Sequence, residues 1–366
     1  MGTVNVLHTG DLHLDCRFSN LSLEKSKLRR NELKMSFKKA LDEHSDADIV
    51  LIAGDIIDNS RFTKDTINFL TGVFSSYPNK TFFVSLGNHD SYHSPAGEEL
   101  VKSLPGNVVI FSDKAEYMEL EDLKTRVYGM SFSSKNEYDS LIENFSVIDD
   151  DYINILLLHA DVVSKGGESK YNPITEEQLE KSGFDYVALG HTHDYSGIKL
   201  AGKTYYSYCG VHEPHGFDEC GEKGVVYGKV GKGFCRLSLQ KTAMRKYNEI
   251  DVDVSNLYSL SDICDRLSMA IESADDFYKI NLTGVLADGV DADVKVIENS
   301  LNAFYIKVEN HTRRNYNLDA IAIEPTLRGR VARNVLNELQ NCPESDIDIV
   351  FSASDYIFEL IDNGGK

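Results

Sequence analysis

Five short apolar segments, each followed at once by a polar motif, constrain the fold of this chain more than any other feature. The segments lie at residues 4–9, 49–53, 81–86, 153–158 and 186–189. Each has the length of a β-strand, and the four after the first are mostly apolar, which predicts a sheet that is covered on both faces. Loops at the carboxyl ends of such strands bring residues that are far apart in the chain to one point. We therefore expect the five polar motifs to meet at one edge of the fold.

The rest of the chain before residue 240 predicts helices layered on sheets. Residues 23–41 carry apolar side chains near helical spacing among many Lys and Arg, which is typical of an amphipathic surface helix. Within residues 117–132 and 199–239, shorter apolar runs alternate with turn residues and indicate antiparallel strands. We therefore predict an α/β fold in which sheets and helices form a layered sandwich over residues 1–240.

The pattern changes after about residue 242. Strand-like runs at residues 250–254, 278–283 and 304–308, with a helix at 261–273, predict a small separate α+β unit. Helical periodicity returns at residues 326–339 and 346–361, and Pro343 separates these two segments. We therefore predict three parts, which are a sandwich domain at 1–240, an α+β unit at 241–325 and a helical segment at 326–366.

The chain is acidic, with a net charge of −20 over 366 residues. A strongly negative surface repels nucleic-acid phosphates at long range. Two bound divalent cations would restore positive charge at a site, but not across a wide surface. If the protein binds DNA, we therefore expect a partner subunit to supply much of the affinity.

Cysteine usage and the absence of long apolar runs bear on the cellular compartment. The six cysteines are scattered without Cys-x-x-Cys spacing, which is typical of isolated thiols in a reducing compartment and not of a metal site. The first residues resemble no secretory signal, and no apolar run approaches the ~20 residues of a membrane helix. We therefore expect a cytoplasmic protein with no membrane partner.

The polar motifs carry the residue types that hold two divalent metal ions. They are Asp11-Leu12-His13, Gly54-Asp55-Ile56-Ile57-Asp58, Gly87-Asn88-His89-Asp90, His159 and Gly190-His191-Thr192-His193. Hydrolysis of a phosphodiester needs an activated water and neutralised phosphoryl charge, which two ions about 3.5–4 Å apart supply. A carboxylate can bind both ions, and we select Asp55 because it follows a strand and a glycine. Asp11 and His13 lie two residues apart in an extended segment, so one ion can use both.

The remaining candidate ligands are an amide and three imidazoles. Asn88 offers a neutral carbonyl oxygen, and His159 offers an imidazole. His191 and His193 also lie two residues apart, although a loop could equally direct them to different ions. This mixture of carboxylate, amide and imidazole without thiolate suits Mn²⁺, our first choice, and also Fe²⁺ or Zn²⁺.

His89 and Asp90 are candidate catalytic residues and not ligands. His89 follows Asn88 directly, which would place it beside the metal and near the substrate. There its imidazole could donate a proton to the leaving oxygen or stabilise charge in the transition state. Asp90 could orient that imidazole by accepting its other N–H. The alternative for Asp90 is a cap on the backbone of the loop.

The motif set resembles that of the calcineurin-like metallophosphoesterases, and within them the DNA repair exonucleases of the SbcD and YhaO type. The resemblance implies a four-layer α/β/β/α sandwich, a small α+β capping domain and C-terminal helices. It also implies that His89 is the catalytic histidine. One implied set of ligands is Asp11, His13, Asp55 and His193, and the other is Asp55, Asn88, His159 and His191.

The resemblance extends beyond the metal motifs. The segment Glu324-Pro325-Thr326-Leu327-Arg328-Gly329 is similar to the one that follows the capping domain in this family, and residues 216–224 are similar to the loop after its last metal motif. Asp58 stands where some archaeal relatives have a histidine, and His215 stands where an arginine is common. In the family the C-terminal helices bind the coiled-coil base of an SbcC-like ATPase, and members are often homodimers. DNA, such an ATPase and a second copy are therefore the implied partners.

Three functions are compatible with the sequence. The favoured one is a metal-dependent nuclease that acts on DNA ends, which the capping region supports. The second is a phosphodiesterase for small nucleotides or other small phosphoesters, which the acidic charge favours. The third is a non-catalytic partner of an SbcC-like ATPase.

Overall fold

The computed structural model describes residues 2–58, 62–148, 151–287, 289–314 and 316–362. The chain divides into two compact units, one ending at Lys246 and the other beginning at Tyr247. The first unit extends past residue 240 because the residues that follow still bond to it. The Met244 N–H donates to Glu213 Oε2 at 2.6 Å, and the Arg245 guanidinium pairs with Glu32 at 2.8 Å.

The first unit contains most of the strands. They are β1 (Thr3–Thr9), β2 (Ile49–Ile52), β3 (Thr81–Val84), β4 (Val108–Ile110), β5 (Glu116–Leu120), β6 (Thr125–Gly129), β7 (Ile153–His159), β8 (Asp161–Val163), β9 (Pro173–Thr175), β10 (Tyr186–Gly190), β11 (Lys199–Ala201), β12 (Thr204–Tyr208), β13 (Gly224–Gly231) and β14 (Phe234–Lys241). Its α-helices are α1 (Leu23–Glu43), α2 (Lys64–Ser75), α3 (Pro95–Ser103) and α4 (Glu176–Lys181). Short 3₁₀ turns lie at Glu121–Leu123, Leu141–Asn144 and Phe217–Glu219.

Two six-stranded sheets form the centre of this unit. The strand order is β14-β13-β1-β2-β3-β4 in the first sheet and β11-β12-β10-β7-β6-β5 in the second. Strands β1 to β4 are parallel, as are β6, β7, β10 and β12. The outer strands β5 and β11, and the pair β13 and β14, join by antiparallel pairing. The antiparallel segments predicted at residues 117–132 and 199–239 therefore form the margins of the two sheets.

The sheets pack face to face, and helices cover their outer faces. Leu51 and Phe83 of the first sheet share a buried cluster with Ile155 of the second. On the outer face of the first sheet, Phe37 of α1 packs in one buried cluster with Val50 and Ile52 of β2. On the outer face of the second sheet, Leu179 of α4 packs in another cluster with residues of β7. This is the predicted α/β/β/α sandwich.

Strand direction determines where the polar motifs lie. Strands β1, β2 and β3 of the first sheet are parallel neighbours, so their carboxyl ends share one edge. The same holds for β7 and β10 in the second sheet, where Gly190 pairs with His159. All five strands are almost wholly buried, which explains the near-continuous apolar runs in the sequence.

The second unit combines a small sheet with two groups of helices. Its strands are β15 (Tyr247–Asp253), β16 (Phe277–Thr283), β17 (Val285–Leu286), β18 (Tyr305–Asn310) and β19 (Arg313–Arg314), and its helices are α5 (Leu260–Ala270), α6 (Val294–Ser300), α7 (Leu318–Ala322), α8 (Leu327–Asn341) and α9 (Ile347–Asp362). Strands β15, β16 and β18 are parallel because a helix lies between each pair along the chain. Helices α8 and α9 correspond to the two predicted C-terminal helices.

None of the helices in the described ranges combines the length and apolar character that a membrane crossing needs. The six cysteines, all of which the structure describes, carry free thiols.

Candidate metal centre

The polar motifs that follow the five strands converge. The ligand atoms of Asp11, His13 and His193 all lie within 4.8 Å of one another, and so do those of Asp11, Asp55 and His159. We call these the His193 group and the His159 group. Both groups are mostly buried, and Asp11 belongs to both. Residues as far apart in the sequence as Asp11 and His193 therefore form one site.

The backbone of the site adopts conformations that are uncommon for residues with a side chain. Asp11, His13 and Asp55 have φ values of 48°, 42° and 51°, and His191 has 101°. Such conformations cost about 1–3 kcal/mol each and persist only where surrounding bonds enforce them. Here the loops after β1 and β2 bond to each other, since Asp11 N–H donates to Gly54 O and His13 N–H to Asp55 O, both at 2.9 Å. These bonds direct the side chains of both loops into the site.

Two glycines allow the loops to approach the ligands closely. Gly54 has a φ of 84°, and a Cβ there would lie 2.6 Å from His159 Nδ1. A Cβ on Gly87 would clash with Asp55 Oδ1 and lie 2.9 Å from His159 Cγ. Neither position can accept a side chain without displacing a candidate ligand.

In the His193 group, two imidazole nitrogens face each other. His193 Nε2 lies 3.3 Å from His13 Nε2, and His193 Nδ1 lies 2.5 Å from the Glu219 carboxylate. Burial lowers the pKa of His193, but Glu219 and Asp11 outweigh it and raise the pKa to about 9. A metal ion and a proton compete for the same lone pair of such an imidazole. The donor set therefore fits a divalent cation.

The His159 group shows the same convergence of lone pairs. His159 Nδ1 donates to Ala53 O at 2.9 Å, so Nε2 is the ring nitrogen left to bind a metal ion. That Nε2 lies 3.0 Å from Asn88 Oδ1 and 3.5 Å from Asp55 Oδ2. Three atoms that accept hydrogen bonds thus face one another in a buried space, and a cation is the group that suits them all.

His191 and His193 lie beside different groups, although two residues separate them. The His191 ring centre lies 5.1 Å from that of His159, and the His193 ring centre lies 5.1 Å from that of His13. The His191 N–H donates to both carboxylate oxygens of Asp11, at 3.1 and 3.0 Å. Of the two arrangements that the sequence left open, the geometry matches the one with a histidine on each side.

Asp55, a member of the His159 group, also lies close to the His193 group. Its Oδ2 is 3.8 Å from His13 Nε2 and 3.5 Å from His159 Nε2, while its Oδ1 accepts the His89 N–H at 2.9 Å. Burial opposes ionisation, but His159, His13 and His89 outweigh it and lower the pKa of Asp55. An ionised, buried carboxylate that approaches both groups would be available to a cation held by either of them.

The carboxylate that contacts His89 is Asp58, which corrects the orienting role that we assigned to Asp90 from the sequence. Asp58 Oδ1 lies 2.5 Å from His89 Nδ1, and this hydrogen bond raises the pKa of His89. The His89 side chain is 42% exposed, so a substrate can reach it.

Asp90 instead supports the loops that carry Asp55 and Asn88. Its carboxylate accepts the Ile56 N–H at 2.7 Å and the Gly87 N–H at 2.8 Å. It is fully buried and faces away from solvent. This matches the loop cap that was the alternative for Asp90 in the sequence.

Sequence reasoning missed Glu219, which lies in the resembling loop at residues 216–224. Its side chain is buried and contacts His193 and His215. The resemblance drew attention to the loop, but the sequence offered no signal that singled out this carboxylate from Asp218 or Glu222.

Comparison with known proteins identifies the family of this chain. The family model for calcineurin-like phosphoesterases matches residues 4–195, a span that contains all seven candidate metal ligands. The uncharacterized metallophosphoesterase YhaO of Bacillus subtilis is 26% identical over 269 residues, which are 70% of this chain and 64% of that relative. The alignment thus spans less than two thirds of the relative's length.

Two solved structures match part of this chain at low identity. TT1561 of Thermus thermophilus is 11% identical, with a TM-score of 0.40, over 63% of this chain and 99% of that chain. Purple acid phosphatase PPD1 from yellow lupin is 14% identical, with a TM-score of 0.38. The match covers 56% of this chain and 43% of that chain. The family match covers more than half of the sequence, and the chain therefore belongs to the calcineurin-like phosphoesterases.

Proposed function

We propose that this metal-dependent phosphoesterase is a phosphodiesterase that uses two metal ions and acts on DNA ends, as a nuclease of the SbcD type. One observation carries the two-metal part of the proposal. Asp55 Oδ2 lies within 4 Å of imidazole nitrogens from both groups, at 3.8 Å from His13 and 3.5 Å from His159. A single carboxylate can therefore serve both ions.

The proposed ligands of the two ions are the sets that the family resemblance implies. One ion would be held by Asp11, His13, Asp55 and His193, and the other by Asp55, Asn88, His159 and His191. Once bound, the ions would supply an activated water and neutralise phosphoryl charge. Carboxylate, amide and imidazole ligands without thiolate suit Mn²⁺, Fe²⁺ or Zn²⁺, and we propose Mn²⁺.

His89 is the proposed proton donor to the leaving oxygen. The hydrogen bond with the Asp58 carboxylate raises the pKa of His89, which favours the protonated imidazole that a proton donor needs. The hydrogen bond at Nδ1 also orients the ring, which leaves Nε2 available to a substrate. The backbone N–H of His89 donates to Asp55, and this hydrogen bond holds His89 close to the proposed bridging ligand.

A basic patch beside the site supports DNA as the substrate. The patch consists of Arg17, Lys27 and Arg30, on the loop after His13 and the first turns of α1. The loop lies against the helix, since Ser26 Oγ donates to Phe18 O at 2.9 Å. Within the ranges that the structure describes, these three side chains form no ion pair. Their charge is therefore available to phosphates, despite the net charge of −20.

An apolar stripe on α9 supports a protein partner. Ile349, Tyr356 and Leu360 recur near helical spacing and are 66%, 64% and 40% exposed. An exposed apolar stripe of this kind is typical of a helix that packs on another protein. We propose an SbcC-like ATPase as that partner, by the family resemblance. A second copy of the chain remains a prediction.

The proposal is tested by comparing cleavage of linear duplex DNA and of bis-p-nitrophenyl phosphate in Mn²⁺. We expect both activities in the wild type and a loss of at least about 100-fold in Asp55→Asn and in His89→Asn. The exposed residues Asp42 and His311 provide the controls, since Asp42→Asn and His311→Asn should retain full activity. Undiminished DNA cleavage by Asp55→Asn would contradict the proposal.

The acidic charge favours a second function, hydrolysis of small phosphodiesters such as cyclic nucleotides. Turnover of the small ester without cleavage of DNA would support this function over the first. Metal analysis of protein purified without chelator addresses the non-catalytic alternative. About two ions per chain would weigh against a scaffold, whereas protein that binds no metal would support one.

A further inference from the structure

Glu219 is a buried carboxylate at the edge of the candidate metal centre. Its side chain is only 4% exposed, and both of its oxygens are used. Oε1 lies 2.5 Å from His193 Nδ1, while Oε2 accepts the His215 N–H at 2.6 Å and lies 3.0 Å from His215 Nδ1. Burial of a carboxylate costs free energy unless such hydrogen bonds offset it, so the two histidines stabilise the buried Glu219 side chain.

The contact with His193 fixes which ring nitrogen can bind a metal. A nitrogen that faces a carboxylate carries a proton, so His193 Nδ1 is the donor and Nε2 is the nitrogen that a metal ion would meet in place of a proton. That Nε2 is the atom that faces His13. A carboxylate behind a metal-binding imidazole also makes the imidazole more basic and restrains its ring.

The two groups differ in what supports their histidines. His159 Nδ1 donates to the neutral backbone carbonyl of Ala53 at 2.9 Å, whereas His193 Nδ1 donates to the charged Glu219. The same ring atom thus has a neutral partner in one group and an anionic partner in the other. This difference predicts that loss of the Glu219 charge affects only the His193 group.

The loop that carries Glu219 is anchored independently of the metal ligands. The fully buried Arg29 donates to Glu213 Oε1 at 2.7 Å and to Pro214 O at 2.8 Å. The His215 ring stacks over Phe18 with its centre 6.5 Å away. These contacts hold the loop against α1 and the loop after β1. The carboxylate at 219 is therefore held in place by groups other than His193.

We propose that Glu219 is a positioning residue that sets the affinity of the His193 group for a divalent ion and leaves the His159 group unchanged. The inference rests on the proposed two-metal function. Residue 219 lies outside the family match at residues 4–195, so the support comes from a different segment of the chain.

The test is Mn²⁺ binding, measured by calorimetric titration and by the electron paramagnetic resonance of free Mn²⁺. We expect two ions per wild-type chain and a Glu219→Gln variant in which one binding step weakens about 10- to 100-fold while the other is unchanged. Glutamine keeps an oxygen that can accept the His193 N–H. This variant therefore removes the negative charge of residue 219 while it nearly preserves the size and shape of the side chain. The exposed neighbour provides the matched control, and Asp218→Asn should bind both ions as the wild type does.

Each other outcome is also decisive. Two unchanged binding steps in a folded Glu219→Gln protein, or equal weakening of both, would overturn the inference. If this variant does not fold, Glu219→Asp keeps the charge at a longer distance and should weaken the same single step by a smaller factor. Two unchanged steps in Glu219→Asp would then overturn it. A wild type that binds fewer than two ions would instead contradict the two-metal function.

Discussion

His89 illustrates how a single side chain depends on its immediate neighbour. Asp58 and Asp90 both belong to motifs next to His89, but only Asp58 contacts its imidazole, at 2.5 Å. Asp90 bonds to backbone N–H groups, including that of Ile56 at 2.7 Å. One carboxylate thus acts on the proposed proton donor, while the other stabilises the loop that holds Asp55.

The role of Asp58 can be tested with substrates that differ in leaving group. Proton donation matters more when the leaving oxygen is a strong base, so Asp58→Asn should slow a phenyl phosphodiester more than a p-nitrophenyl one. We expect losses in kcat of about 10- to 100-fold on the phenyl ester and several-fold less on the other, with similar KM values. Steady-state kinetics in Mn²⁺ measure both. An equal loss on both esters would contradict a role through His89.

Residue types and spacing were sufficient to select candidate ligands that the structure brings together, but not the residues that support them. Asp11, Asp55 and His159 could be selected because chemistry restricts what can bind a metal after a strand. The partner of His89 could not, because Asp58 and Asp90 both lie in motifs that flank the site and only the fold of the loops separates their roles. Glu219 was missed for the same reason, since it meets His193 only through the tertiary structure.

At the scale of elements, the site depends on parallel strands that end together. The strands predicted from apolar runs correspond to β1, β2, β3, β7 and β10, with ends that differ by one or two residues. Burial of both faces of these strands could be predicted from their apolar composition, whereas their parallel direction is seen only in the structure. The boundary near residue 240 was less predictable, because residues 244 and 245 return to the first unit through Glu213 and Glu32.

The loop after β3 provides a test of this close packing. A Cβ on Gly87 would meet Asp55 Oδ1 and the His159 ring, and neither can move without disturbing the His159 group. We expect Gly87→Ala to lose Mn²⁺ binding by at least about 10-fold, by calorimetric titration, while far-ultraviolet circular dichroism stays near that of the wild type. Gly106→Ala is the matched control, because its Cβ would meet nothing within 4 Å. Normal Mn²⁺ affinity in Gly87→Ala would show that the packing is looser than the structure indicates.

At the scale of the whole molecule, charge is distributed unevenly over α1. Its first turns carry Lys27 and Arg30 of the basic patch, whereas near its end Lys38 and Lys39 pair with Asp42 and Glu43 at 2.6 and 3.8 Å. Net charge alone therefore misrepresents the surface near the site. The sequence showed a helix rich in lysine and arginine, but it did not show which of these side chains form ion pairs with carboxylates.

Removal of charge from the two ends of α1 should have different effects on DNA binding. Lys27→Gln/Arg30→Gln should weaken binding and reduce the dependence of log K on log salt by about two. Lys38→Gln/Lys39→Gln, the matched double variant, should change binding little. Fluorescence anisotropy over a salt series measures both, with bis-p-nitrophenyl phosphate turnover as the check on the active site. Equal effects of the two variants would argue against the patch.

Stability should depend on pH through the buried His8. Its Nδ1 lies 2.8 Å from Tyr186 Oη, and burial lowers the pKa of His8 to about 3. Between about pH 6.5 and pH 3 the unfolded chain binds a proton there that the folded chain does not, so stability falls as the pH falls. We expect the loss of unfolding free energy between pH 7.5 and pH 5 to be about 2 kcal/mol smaller in His8→Asn. Urea denaturation in EDTA measures it, and His311→Asn should match the wild type.

The ligands of the proposed ions come from both layers of strands, because Asp11 follows β1 in one sheet and His159 ends β7 in the other. An ion held by both sheets would act as a removable cross-link across the seam of the sandwich. The two sheets could then separate only after the metal had left. A chelator would therefore remove the activity and would also break the link that the metal ion makes between the two sheets.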